Sequence, residues 1–169
     1  DHMITAGDIE FEQPQPKIWQ LAEHAVAMMF GLSAAQGQIG LRTQYRIHER
    51  GITDIGEMAE TYAWFTRDYV RREAEADVLA PLQLSTADLT AQPLAISPAL
   101  ARHLTKQMQT YYRGSGLSDD LGGAIILGTD DTGGHICKIE DGHVEYMDSI
   151  GFVAAGGGRW HVHGGRTRC

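Results

Sequence analysis

Cysteine is nearly absent from this chain: Cys137 and Cys169 are the only two in 169 residues. Two thiols so far apart in sequence frame no disulfide scaffold, and neither belongs to a CxxC pair of the kind that holds zinc. Cys137 lies inside a strand pattern and is read as a small buried thiol, which points to a reducing, cytoplasmic setting. Positive charge is also scarce, with 14 Lys and Arg against 22 Asp and Glu and a net of −8. That excludes a non-specific nucleic-acid binder, which needs a basic face. The one basic cluster, Arg67, Arg71 and Arg72, is followed at once by Glu73, Glu75 and Asp77, so it is read as a solvated helix face. No run reaches the roughly 18 apolar residues of a membrane helix, and no charged-then-apolar leader opens the chain. No membrane partner is expected.

What is present is a core-forming composition, 43% hydrophobic, with 20 glycines that punctuate it. This suffices for one domain. Punctuation is densest from Gly122 to Gly158. There the short runs Ala124–Leu127, His135–Ile139, His143–Met147 and Ile150–Ala154 are each closed by glycine or aspartate. Asp130-Asp131-Thr132-Gly133-Gly134 and Asp141-Gly142 are turn sequences, because Asp tolerates and Gly favours positive φ. The spacing is too short for helical crossovers and predicts an antiparallel meander.

Upstream, Glu12-Gln13-Pro14-Gln15-Pro16 breaks regular structure. Lys17–Leu21 alternates like a strand, and the continuous apolar run Ala25–Phe30 predicts a strand buried on both faces. Ser33-Ala34-Ala35-Gln36 has capping-box form and predicts a helix from about Ala34 to Glu49, closed by Gly51. A second helix starts near Thr53 or Asp54, puts Ile55, Met58, Tyr62, Phe65 and Tyr69 on one stripe, and frays over Arg71–Asp77. Pro81, Pro93 and small polar residues make Leu79–Ile96 a mostly irregular connection. Ser97-Pro98 opens a third helix with the stripe Leu100, Leu104, Met108 and Tyr111, ending near Gly114. Strands, then helices, then strands imply an α+β domain with helices stacked on an antiparallel sheet.

Several chemistries find little support in the residues. Gly156-Gly157-Gly158 lacks the GK[ST] ending of a phosphate loop. His161 and His163 share a strand face but have no third metal ligand nearby, so no metal is expected. Asp130 and Asp131 lack EF-hand spacing and are explained by a hairpin turn. There is no GxSxG elbow, and Ser33 and Ser115 have no recognisable base partner. One set remains: Asp1, Lys17 opening a strand, and Gly31 at a strand-to-helix corner. A strand lysine beside a carboxylate keeps its charge and tunes a neighbouring base, and a corner glycine can aim its N–H at an oxyanion. A surface salt bridge and a plain corner glycine explain the same residues.

Asp1-His2-Met3-Ile4-Thr5, Lys17-Ile18-Trp19, Ala25–Gln36 and Ala124–Gly158 together resemble, in order and spacing, the proteasome β-type branch of the N-terminal-nucleophile hydrolases. Ile52–Ile96 resembles an insertion relative to compact members. The resemblance implies a four-layer αββα sandwich, no cofactor, and peptide hydrolysis by an amino-terminal threonine whose own amine is the base. It implies that Asp1 orients the site, Lys17 tunes its electrostatics and Gly31 donates an oxyanion N–H. Thr5 with Gly31 would hold the substrate backbone as an added strand. Ile4, Met29 and Ser33 would line the side-chain pocket, with Met29 at its base. Peptide or unfolded protein is the implied substrate, and copies of the chain or related subunits are the implied oligomeric partners. The chain departs from the family pattern in three ways. The nucleophile strand would precede Asp1, Gly157 stands where the family has a serine, and the tail to Cys169 lacks the family's later aspartate and helical pattern. A partial, inactive peptidase domain is therefore expected, and a non-catalytic structural or assembly subunit is the alternative.

Overall fold

A computed structural model describes residues 17–30, 33–91, 96–114, 123–151 and 153. The first hairpin joins β1 (Lys17–Ala22) to β2 (Ala25–Met29). Helices α1 (Ser33–Arg50) and α2 (Ile55–Ala74) follow, and then α3 (Thr86–Thr90) and α4 (Pro98–Gly114). The chain returns through β3 (Gly123–Asp130), β4 (Gly133–Glu140) and β5 (His143–Tyr146). All five strands form one antiparallel sheet in the order β1-β2-β3-β4-β5. The architecture is α+β, as the element order predicts.

Local chemistry sets the helix limits. Helix α1 ends in a Schellman arrangement, with Gly51 at φ +63°. The Ile52 N–H donates to the Ile47 carbonyl at 3.0 Å and that of Gly51 to His48 at 3.4 Å, using up two orphan carbonyls. Asp54 caps α2 by accepting the Glu57 N–H at 2.6 Å, which also sets a negative charge at the positive end of the helix. Ile55, Met58, Ala59, Tyr62, Ala63, Phe65 and Thr66 are buried on α2, the i, i+3, i+4 stripe of an amphipathic helix. That stripe meets the sheet face built from Ala25, Ala27, Met29, Ala124, Ile126, Cys137 and Ile139. Ala27, Ile126 and Cys137 lie side by side in register and are fully buried. Burying a side chain the size of Ile126 is worth about 1.5–3 kcal/mol.

Small residues let the layers close. A Cβ at Gly40 would stand 3.3 Å from the Trp19 ring and 3.5 Å from the Met29 sulfur. At Gly128 it would meet Ile55 Cδ1 at 2.5 Å and the His24 carbonyl oxygen at 2.7 Å. At the far end of the sheet Arg67 lies across the β4–β5 turn and donates to the Gly142 carbonyl. Arg67 is therefore a packing residue. Arg71 and Arg72 do form a solvated face, paired with Asp68 at 2.6 and 3.1 Å.

Five expectations need correction. Strand β2 alternates between buried and half-buried residues, because the helices cover one face of it. The segment after α2 does not fray: α2 runs to Ala74 and continues through a wide π-type turn, Glu75–Leu79. Nor are the described residues between Leu79 and Ile96 mostly irregular, since Ala80–Leu82 is a 3₁₀ turn and Thr86–Thr90 a short helix. Pro81 sits in the first positions of that turn, where its missing N–H costs nothing. On α4 it is Ala101, with Leu104 and Met108, that is buried, while Leu100 is exposed. The run opening at Ile150 is not a strand there: the Ile150 and Gly151 N–H groups both donate to the Met147 carbonyl, at 2.9 and 3.0 Å, closing a turn.

Gly128→Ala should lower unfolding free energy by about 1–3 kcal/mol, the usual cost of overpacking. Gly37→Ala, in mid-α1 with no neighbour within 4 Å, should raise it by about 0.5–1 kcal/mol through helix propensity. Parallel urea titrations of the two variants check both signs.

Candidate functional site

Of the residues singled out above, Asp1, Ile4, Thr5, Gly31, Gly157 and the pair His161 and His163 lie outside the described residues. The backbones of Lys17 and Ser33 and the whole of Met29 lie within them. Lys17 pairs with Met29 across β1 and β2, and Met29 pairs in turn with Ala124. Just beyond, the Phe30 N–H donates to the Gly123 carbonyl at 2.9 Å. The chain then enters α1 at Ser33, and the Gln36 side-chain amide reaches back to donate to the Phe30 carbonyl. The sheet thus brings Lys17, Met29 and Ser33 to one end, where β1 begins, β2 ends and α1 starts. Met29 is 1% exposed. A cavity of about 10 Å³, bordered by Gln36, Tyr62, Thr66 and Gly123, lies at the same end; that is room for one water. Burial pushes the Tyr62 phenol far above its ordinary range.

The densest polar network is at the opposite end of β3, and reasoning from the sequence missed it. Asp130 ends β3 and its two oxygens serve four donors. Oδ2 accepts the Ile55 N–H at 3.1 Å, at the start of α2. Oδ1 accepts the Thr132 N–H at 2.8 Å and hydroxyl at 2.6 Å, and faces His135 Nε2 at 3.0 Å. On its other side, His135 Nδ1 lies 2.7 Å from Asp148 Oδ2. Asp148 Oδ1 accepts the Ile136 N–H at 2.7 Å. These bonds decide the charges. The Thr132 hydroxyl and the Ile55 and Thr132 amides hold the Asp130 carboxyl far below its usual range. Asp148 is lowered by the Ile136 amide and then by His135. His135 is raised by its bond to Asp148 and, against partial burial, by Asp130. Both carboxylates are ionised and the imidazole between them favours its cationic form.

Thr132 Oγ1 also lies 2.8 Å from His135 Nε2, so Thr132, His135 and Asp148 have the connectivity of a hydroxyl–imidazole–carboxylate triad. The hydrogen bonding points to a different role. The Thr132 hydroxyl also lies 2.6 Å from Asp130, and an imidazole set between two carboxylates is favoured as a cation, the form with no lone pair to act as a base. Cys137, two residues along β4, is buried, and burial, followed by the charges of Asp148, Asp54 and Glu60, pushes its thiol up to about 11. It stays protonated and is no nucleophile at neutral pH. The network joins residues 5 and 13 positions apart, and the strand-like alternation of His135, Cys137 and Ile139 gave the only hint that His135 faces the helices.

Among the described residues no group of three or more His, Cys, Asp or Glu side chains is arranged to hold a metal ion. No described helix is long and apolar enough to cross a membrane. The described surface also carries open grooves, one of about 720 Å³ between the 75–82 turns and α4 and one of about 640 Å³ between the β1–β2 hairpin and α1. Compared with protein-family models and with curated protein sequences, the chain matches none.

Asp130→Asn should lower the melting temperature, because it removes the charge that four donors surround. A carboxyl lowered in the folded state stabilises above its ordinary value of 3.8 and loses that contribution as pH falls through its folded value. The gap between wild type and variant should therefore narrow as pH drops below 3.8, which thermal melts in a pH series will show.

Proposed function

We propose that this chain is the central part of a proteasome-like N-terminal-nucleophile peptidase domain, whose reaction is peptide-bond hydrolysis by a terminal threonine. The observation that carries the reading is the second face of the sheet. Helices α1 and α2 cover one face. On the other, Ile18, Met28 and Ile125 form one cross-strand row and Val26, Leu127 and Ile136 the next. These stretches are apolar, with Ile18 68% exposed, and the same rows end in polar residues, Lys138 beside Ile125 and Gln20 beside Val26. A sheet with helices outside and a second apolar face suits the inner layer of an αββα sandwich, in which another sheet packs at about 10 Å. The element order supports the same reading: a hairpin, then helices α1 to α4, then a three-stranded meander whose first strand lies beside the hairpin. So does the placement of Lys17, Met29 and Ser33 at one end of the sheet.

In this reading Lys17 tunes the nucleophile, Gly31 donates to the oxyanion and Asp1 orients the site. Thr5 holds the substrate backbone, and Ile4, Met29 and Ser33 border the side-chain pocket. The threonine itself would stand ahead of Asp1. A silent assembly subunit with the same sandwich is the second reading, and it is favoured by Gly157 at the position of the family's serine.

The 169-residue chain alone should hydrolyse no fluorogenic peptide. A product that carries a threonine one strand upstream of Asp1 and is processed to it should hydrolyse it, with Lys17→Ala lowering kcat/KM by about 10²-fold or more. A gene with no threonine one strand upstream of Asp1 overturns the peptidase reading. A processed product that assembles but cleaves nothing selects the silent subunit.

A further inference from the structure

The carboxylate–imidazole–carboxylate set Asp130, His135 and Asp148 ties the two arms of the β3–β4 hairpin to the turn that follows β5. Asp130 belongs to the end of β3 and, through the Ile55 N–H, holds the first residue of α2. His135 belongs to β4. Asp148 belongs to the turn closed on the Met147 carbonyl by Ile150 and Gly151. That turn is joined to the sheet by two amide bonds, Met147 N–H to the Ile136 carbonyl at 2.8 Å and Ile136 N–H to Asp148 at 2.7 Å. Otherwise it is solvated, with Asp148, Ser149 and Ile150 all exposed. From Gly151 the sequence runs into the glycine-rich stretch ending at Gly158.

We infer that Asp130, His135 and Asp148 form a charge-dependent clasp that fixes the 147–151 turn on the β3–β4 hairpin, and that deprotonation of His135 loosens the hold on this turn. With the imidazole charged, each ring N–H donates to an anionic side: Nδ1–H to Asp148 at 2.7 Å, and Nε2–H to Asp130 or the Thr132 oxygen, whose own proton already goes to Asp130. The proton that leaves is the one on Nε2, because Thr132 can turn its hydroxyl toward the resulting lone pair, whereas a lone pair on Nδ1 would face a carboxylate oxygen with nothing between. The neutral ring therefore keeps Nδ1–H on Asp148, but that bond falls from a cation–anion pair to a neutral donor on an anion, and Asp130 loses the imidazolium while keeping the Ile55 and Thr132 amides.

Among the described residues no further positive charge on the surrounding elements substitutes for the imidazolium. From α2, Asp54 and Glu60 act on Cys137 and Tyr146, and both are acidic. Asp131, at the hairpin tip, is acidic too. From the β1–β2 turn, His24 is engaged with the Thr53 carbonyl at 3.0 Å. Raised above its ordinary value of 6.5 in the folded state, His135 contributes stability that is complete below 6.5 and is lost as pH climbs through the folded value. The carboxylates contribute above 3.8. The clasp therefore holds best between these limits and opens on the alkaline side. This inference stands independently of the peptidase reading, since it concerns the packing of a turn in the chain as it is.

The test is amide hydrogen exchange by NMR on the full 169-residue chain, at about pH 5 and about pH 8.5, corrected for the intrinsic pH dependence of exchange. The imidazole signal of His135 is titrated in the same samples. Protection of the Ile136, Ile150 and Gly151 amides should fall about tenfold or more across the His135 titration, the scale of one charge-assisted hydrogen bond. In His135→Gln and in Asp148→Asn, protection should be low at both pH values, with no step. His143→Gln, on β5 and outside the clasp, should keep the step. Equal corrected protection at both pH values in wild type overturns the inference. So does a step that survives in Asp148→Asn or His135→Gln, or one that vanishes in His143→Gln.

Discussion

The first turn of α2 lies on β3 with no space between them, and the positions of the other elements follow from that contact. Gly128 is the point of closest approach: Ile55 and the His24 carbonyl together occupy the volume where a side chain would be. Two hydrogen bonds hold the same point, from Thr129 N–H to the His24 carbonyl and from Ile55 N–H to Asp130. With its start pinned there, α2 crosses the sheet so that Met58 and Tyr62 fall over Ile126, Cys137 and their neighbours. It arrives at the opposite end with Arg67 against the Gly142 turn. A helix anchored at one end by a missing side chain and at the other by a long one has little freedom to slide. The alanines of β2 then admit α1 beside it.

This arrangement makes the two faces of the sheet unequal. One is sealed by helices and carries small or medium residues in register. The other carries the apolar rows Ile18–Met28–Ile125 and Val26–Leu127–Ile136 over β1 to β4, mostly half-buried with Ile125 buried and Ile18 exposed, and turns polar at Gln20, Lys138 and Glu145. Such a face is costly to leave in water at ~25 cal/mol per Å² of apolar area. The functional proposal rests on this imbalance more than on any one side chain.

Legibility in the sequence tracked the range of the interactions involved. Helix α1 with its closing Gly51, the α2 stripe from Ile55 to Phe65, the Ser97-Pro98 start of α4 and the Asp141-Gly142 turn are local patterns, and each was readable. The π-type turn at 75–79 and the short helix at 86–90 were hidden by Pro81, which reads as a breaker unless its place in a first turn is known. Leu100 and Ala101 could not be ranked, because either fits a stripe and only the neighbouring core at Ala74 and Leu79 decides. The Asp130–His135–Asp148 network was illegible for a related reason. Its members belong to a turn, a strand and a second turn, and pairing geometry alone brings them together. Of the site residues implied by resemblance, the sheet pairs Lys17 with Met29 through backbone register, which spacing along the chain could not establish, while Ser33 follows Met29 by four residues at the start of α1.

The segment beyond Ala74 has its own small interior. Ala74, Leu79, Leu104 and Met108 form a cluster distinct from the main core, with Val78, Leu84, Leu89, Ile96 and Tyr111 packed around it. Tyr111 donates to Asp77 at 2.8 Å, one polar tie between α4 and the turn it faces. This cluster is separate from the one under the sheet, so substitutions within it should leave the sheet's packing undisturbed, provided the end of α2 still presents Ala74. One continuous helix thus serves two interiors, the sheet's along Ile55–Phe65 and this one at its last residue.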